Sequence, residues 1–438
     1  VERTTRRLPA ILGVTFGLAV TVGNMIGVGI LRAPGEVAQH LPTFWIYVAV
    51  WIVGGLYALL GANSLAELGA MTPRSGGQYV FVRRALGDYA GFIVGWSDWI
   101  STCGTAAAVA IVIGEYTIVL FPEFRMVEVV ALAGIAILTV VQWFGTRPGA
   151  VMQDVSSLLK AAALLLLVIA CFVMGGRTPG AVAIVADNEV PIFVSFILAL
   201  QLVIYTYDGW TAVIYFSEEV KNPGRNIPRS MFIGVSSVIA LYLLINFAFL
   251  RVVPLATIAG QKLAAATVAR HLFGPHGDTV LRALMVVALI SALNSNVLMA
   301  PRVIFAMAKD RLFWRGATEV NAGGSPDVAL LISSTLAVVF IVTQSFNQVI
   351  AKLAFFFVAN YTLSFASLFV LRRREGDAAR PFRAFGHPFT TGIALVASVV
   401  FLGGAVASDA SNSLWALGLL AISFPVYLLI RPRAAVMT

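Results

Sequence analysis

Read in order, the chain alternates long apolar runs with short stretches that hold most of its charge. A helix needs about 20 apolar residues to cross the hydrocarbon of a bilayer. Runs that meet this requirement, or nearly so, lie at about 10–36, 43–70, 87–120, 126–145, 151–175, 191–217, 230–253, 278–308, 327–345, 348–371, 388–408 and 413–431. The pattern predicts an all-α polytopic membrane protein with about twelve transmembrane helices. Residues 255–275 are Ala-rich and only weakly apolar. They are expected to form short helices lying over the outer mouth.

Composition agrees with this reading. Of the 438 residues, 59% are hydrophobic and 12% are charged, about half the charge a soluble domain carries. Little length is left for a separate soluble domain, so residues 1–438 form one membrane domain. The net charge of +9 sits in short basic clusters between apolar runs, as cytoplasmic loops do, and nucleic acid is set aside as a partner.

Placing the N-terminus inside puts 21 of the 30 Lys and Arg residues on one side. Both termini are therefore expected to be cytoplasmic. Residues Val1 to Arg7 lead into the first run without a small-residue cleavage site, so the first span is read as retained. Cys103 and Cys171 both lie inside apolar runs. Neither a disulfide framework nor a Cys/His metal site is expected.

Two interruptions stand out. The first span contains Val22-Gly23-Asn24-Met25-Ile26-Gly27-Val28-Gly29-Ile30-Leu31-Arg32. Each Gly costs a helix about 1 kcal/mol relative to Ala, so three within seven residues favour a break near the midplane. The spacing of Gly23 and Gly27 also suits close helix packing. The sixth span contains Tyr205-Thr206-Tyr207-Asp208-Gly209-Trp210, a carboxylate and a glycine within an apolar run. A charge there costs about 2.5 to 3.5 kcal/mol and faces a cavity or a partner. Breaks at equivalent places in two five-helix blocks match an inverted-repeat carrier with its site at the breaks. Free N–H groups at Gly27, Val28 and Gly29 would hold a carboxylate. Carbonyls near Ile26 and from Tyr205 to Asp208 would accept an ammonium.

Over nearly its whole length the sequence resembles the amino acid-polyamine-organocation superfamily, near bacterial permeases related to the L-type amino acid transporters. The resemblance rests on Val22 to Pro34 and on Ala66-Glu67-Leu68-Gly69 with Pro73-Arg74-Ser75-Gly76-Gly77-Gln78-Tyr79. It also rests on Tyr207 to Trp210 followed by Glu218-Glu219-Val220-Lys221-Asn222-Pro223, and on Leu371 to Glu375 before Arg380-Pro381-Phe382-Arg383.

The resemblance implies a LeuT-type 5+5 fold with discontinuous helices 1 and 6. Residues 10–175 would be one repeat, 191–371 its inverted counterpart, and 388–431 two peripheral helices. It implies a substrate site at Ile26, Gly27, Val28 and Gly29 and at Tyr205, Thr206, Tyr207, Asp208 and Gly209, with Tyr205 as an aromatic gate. Lys160 matches the family's helix-5 lysine. Its ammonium would replace a bound sodium ion by donating to carbonyls near Gly23 and to Ser291 or Asn294.

The implied activity is sodium-independent, alternating-access transport of neutral L-amino acids by exchange or proton symport, in a plasma membrane, bacterial and inner by type. Val28 departs from the small residue usual between the two glycines. Asp208 replaces the Gly of the animal L-type transporters. Three functional roles stay open for Asp208, namely binding an ammonium, titrating, or pairing with Arg32, beside a fixed structural one. Arg32 is read as an outer-vestibule residue. Glu218 and Glu219 precede what reads as a basic Asn-Pro loop and are gate candidates, with Arg74, Arg83 and Arg84 on the same inner face.

Competing readings are an amine, polyamine or cationic amino acid permease, or a transporter-like sensor. Enzyme chemistry is not expected, because His40, His271, His276 and His387 are not grouped with Cys or acidic residues. No cofactor is expected. The loop from Glu115 to Glu128 has no Cys, so no disulfide-linked heavy chain is expected, and the chain would act as a monomer or homodimer.

Overall fold

The computed structural model describes residues 8–27, 29–41, 43–176, 191–261, 263–343, 346–408 and 410–430. Every regular element among them is helical, apart from one isolated parallel bridge between Leu12 and Val220. The helices are α1 (Val14–Met25), α2 (Gly29–His40), α3 (Phe44–Met71), α4 (Gln78–Leu86), α5 (Asp88–Leu120), α6 (Val127–Trp143), α7 (Thr146–Met174) and α8 (Ile192–Tyr207). After a 3-10 segment at Ala212–Phe216 come α9 (Pro223–Val252), α10 (Leu255–Ile258), α11 (Ala264–Phe273) and α12 (Gly277–Lys309). The last four are α13 (Asp327–Thr343), α14 (Phe346–Arg374), α15 (Phe389–Ser408) and α16 (Ala410–Ile430).

Among the described residues, seven helical stretches are long and apolar enough to cross a membrane, and an eighth arises if α1 and α2, bent by 42°, count as one span. Four more apolar helices are shorter, including α6 and α13 at 17 residues each. A 17-residue helix rises about 25 Å. This is an integral, polytopic, all-helical membrane protein.

The most apolar window of the α12 stretch is 72% buried and that of α5 is 67% buried, whereas α7 reaches only 39%. The first two therefore form the centre of the bundle, packed along each other. On α7, Val155, Leu158, Leu159, Leu165, Leu166 and Val173 remain exposed, and in a bilayer they face lipid. Small residues set the close approaches. A Cβ on Gly54 would lie 2.4 Å from Val203 of α8, and one on Gly61 would lie 2.7 Å from the Trp210 ring. Helix α3 thus carries the second interruption directly on its surface.

One sequence expectation changes. The Asn-Pro stretch is not a loop. Asn222 takes a left-handed conformation (φ 47°) and Pro223 opens α9, so the seventh span begins at 223 rather than 230. Proline suits this first position because its missing N–H would have had no helical partner. The 255–275 stretch does form short helices, α10 and α11.

Candidate functional site

Helix α1 ends at Met25, and Ile26 leaves helical geometry at φ −78°, ψ 94°. Ending a helix strands the carbonyls of its last turn, which must find other donors when buried. Two side chains supply them. Lys160, fully buried on α7, donates from Nζ to the carbonyls of Gly23 at 2.7 Å and Ile26 at 2.5 Å. Tyr242, fully buried on α9, donates to the Met25 carbonyl at 2.7 Å and lies 3.3 Å from the Thr206 carbonyl of α8. The two interrupted helices therefore meet at one hydroxyl.

The glycines of this region have different duties. A Cβ on Gly23 would lie 2.2 Å from Gln153 Nε2, 2.5 Å from Ser157 Oγ and 2.7 Å from Ser291 Oγ. One on Gly29 would press on Thr206 at 3.1 Å. A Cβ on Gly27, by contrast, would meet no atom of the described residues within 4 Å beyond its chain neighbours. The break opens onto free space at that residue. Helix α2 begins two residues later, and its first turn presents N–H groups without intrahelical acceptors. Val28 lies outside the described residues.

Helix α8 ends at Tyr207, and Asp208 follows at ψ 156°. Gly209 has φ 103°, and its Cβ would lie 2.8 to 3.0 Å from Asn24 and the Met25 nitrogen. Only glycine combines that backbone with that approach. Asn24 is held in turn by Asn296 of α12 at 3.1 Å. The Asp208 carboxylate accepts a hydrogen bond from the Tyr361 hydroxyl of α14, and Trp210 stacks on the Tyr361 ring with centroids 4.7 Å apart. Arg32 donates instead to the Tyr116 hydroxyl at 3.4 Å. The pairing of Arg32 with Asp208 considered above does not form.

Other expected site residues divide. Tyr205 is half-buried on the last turn of α8, and its carbonyl accepts from Asp208 N at 3.1 Å. The Thr206 hydroxyl is bound to Leu202 of its own helix at 2.7 Å. The Tyr207 ring turns into an aromatic cluster with Trp51 and Tyr242, at centroid distances of 6.2 and 5.0 Å. It packs against α3, leaving its backbone at the break. Ser291 and Asn294 do not bond Lys160. Ser291 is bound by Ser157 at 2.8 Å and Gln153 at 3.2 Å, and Asn294 donates to Gln153 at 2.9 Å and to the Gly149 carbonyl at 3.2 Å. Ser157 and Gln153 lie one and two turns before Lys160 on α7, so they join α12 to the Ala19 carbonyl within α1 while the lysine reaches the end of α1.

Below the second interruption, the chain carries further charges, several of them buried. Glu219 is fully buried and pairs with Arg302 through two contacts of 3.1 Å. Arg302 is 1% exposed inside α12. Glu218 pairs with Lys309 at 3.1 Å, while Arg74 and Arg83 share Asp310 and Arg84 takes Glu375. The glutamates thus join α12, and Arg74, Arg83 and Arg84 of the same face pair elsewhere. Lys160 and Asp208 are not the only charges inside the bundle. Asp98 of α5 is buried and accepts the Tyr215 hydroxyl at 2.7 and 2.9 Å. Glu67 of α3 is buried beneath Arg372 and Arg380, at 2.5 and 3.1 Å. Glu67 belongs to a motif read from the sequence, but Tyr242 and Tyr361 look there like ordinary packing aromatics.

An apolar helical bundle with two interrupted helices joined around an open space is the architecture of a membrane carrier. Residues 14–424 match the family model described as amino acid permease, and the chain belongs to that family. It is 28% identical over 433 residues to the serine/threonine exchanger SteT of Bacillus subtilis, covering 97% of each chain. It is 25% identical over 391 residues to the b(0,+)-type amino acid transporter 1 of Mus musculus, covering 87% of this chain and 80% of that one. It is 26% identical over 383 residues to the large neutral amino acids transporter small subunit 2 of Oryctolagus cuniculus, covering 85% and 71%. These are names of transporters and not of enzymes.

Proposed function

We propose that this protein moves neutral L-amino acids across a plasma membrane, bacterial and inner by type, by sodium-independent exchange through alternating access. The observation that carries the reading is the open space at Gly27, where the first turn of α2 faces the ends of α1 and α8. A carboxylate suits the free N–H groups of a helix start, and an ammonium suits carbonyls at a helix end. Both charged groups common to amino acids are met by backbone, leaving the side chain to be chosen by its neighbours. The names of the relatives support an amino acid as cargo, and that of the bacterial relative supports exchange.

In this reading the chain follows a LeuT-type 5+5 plan of twelve spans with both termini cytoplasmic, and α15 and α16 are peripheral. Lys160 takes the place of a coupling cation, since its ammonium already satisfies the Gly23 and Ile26 carbonyls. Asp208 holds Tyr361 and fixes the second break. Glu218 and Glu219, tied to α12, act in the inner gate. Cys103 and Cys171 are buried free thiols, which favours a chain that works without a disulfide-linked partner, as a monomer or homodimer.

Purified protein in liposomes preloaded with L-serine tests the function. Uptake of radiolabelled neutral amino acids should depend on the internal load and persist when choline replaces sodium. Absence of amino acid flux under both conditions would overturn the proposal.

A further inference from the structure

A second place suited to a zwitterion lies at the end of the bundle that carries α10 and α11. A cavity of about 600 Å³ opens there, lined in part by Gly260, Gln261, Arg270, Asp278 and Arg282. Its charges have both signs. Arg282 pairs with Asp278 on the first turns of α12 at 2.7 and 3.3 Å, and Arg270 has no ion-pair partner among the described residues. The Arg282 guanidinium also lies over the Tyr116 ring, 5.5 Å from its centroid. The hydroxyl of that same tyrosine accepts from Arg32. Two guanidinium groups of the lining, on α11 and α12, thus face one carboxylate. Such an excess of positive charge attracts small anions along the route to a site.

The cavity is fastened to the broken helix. Gly260 N donates to the Gly35 carbonyl of α2 at 2.9 Å. A Cβ on Gly35 would lie 2.2 Å from the Gln261 carbonyl. The cavity wall therefore shares a contact with α2, whose first turn begins at the break and carries Arg32 one turn further on.

We propose that this cavity is an outer station for a free amino acid, its carboxylate held by Arg270 and Arg282 and its ammonium by Asp278. The inference rests on the reading that the chain carries amino acids and adds a binding site to it. An occupant would share Asp278 with Arg282, which charge-assisted hydrogen bonds from both favour. Its presence against residues 260–261 would bear on α2 and so on the break.

Equilibrium binding of radiolabelled L-serine to the full chain in detergent separates the two sites. Two molecules per chain are expected for the unsubstituted protein. One is expected for the double variant Arg270→Gln/Arg282→Gln, and one for Gly27→Leu, which fills the space at the break. Melting temperatures of the variants verify folding. A single molecule that is lost in Gly27→Leu and kept in the arginine variant overturns the outer station while leaving the proposed function standing. A single molecule with the opposite pattern supports the station and overturns the central site. No binding at all overturns both.

Discussion

Glycines that look alike in the sequence do three different things. Gly209 has a positive φ and touches Asn24 backbone, so Gly209→Ala should cost about 1 to 3 kcal/mol through strain, read as a lowered melting temperature. Gly27 has neither constraint. Gly27→Ala should fold as the parent does yet raise the apparent KM for uptake several-fold, because its methyl enters the open space at the break. Equal melting temperatures for these two variants would contradict the assignment. Lys160→Met removes the donor to two buried carbonyls. Each buried group left unsatisfied costs about 1 to 3 kcal/mol, and uptake should fall below a tenth of the parent rate.

At the scale of elements, the bond network decides how the broken helices are held. Tyr242→Phe keeps the aromatic packing with Trp51 and Tyr207 but removes the hydroxyl that α1 and α8 share. The variant should fold, with uptake reduced at least several-fold in the liposome assay. Arg302 and Glu219 tie α12 to the segment below the second break. Removing one partner of a buried pair leaves an uncompensated charge and costs about 3 to 5 kcal/mol, whereas replacing both with apolar residues costs far less. Arg302→Met should therefore destabilise more than Arg302→Met/Glu219→Leu. Chemical unfolding in mixed micelles gives the order, and a double variant as unstable as the single one would exclude a pair.

For the whole molecule, sodium independence is the decisive expectation. Exchange measured in sodium and in choline should agree within experimental error, because an ammonium on the protein itself already occupies the carbonyls a cation would seek. The membrane class, the helical runs and both interruptions were legible in the sequence. Apolar length and the placement of Gly and Asp act locally, and a local rule needs no partner. The same is true of Lys160, a lone charge deep in an apolar run.

What remained hidden were the partners. Arg302 reads as one more inner-side basic residue and Tyr361 as packing until α12 and α14 are set beside the residues they serve. Asp208 admitted a substrate ammonium, a proton or Arg32, and the fold supplies a tyrosine 153 positions away. Whether a buried polar group is answered, and by which donor, depends on which helices touch and on their rotation about their own axes. Sequence alone determined that this chain lives in a bilayer and where its helices yield. Tertiary structure decided which side chains hold the yielded ends, because hydrogen bonds are satisfied at about 3 Å, a distance that spacing along the chain does not encode.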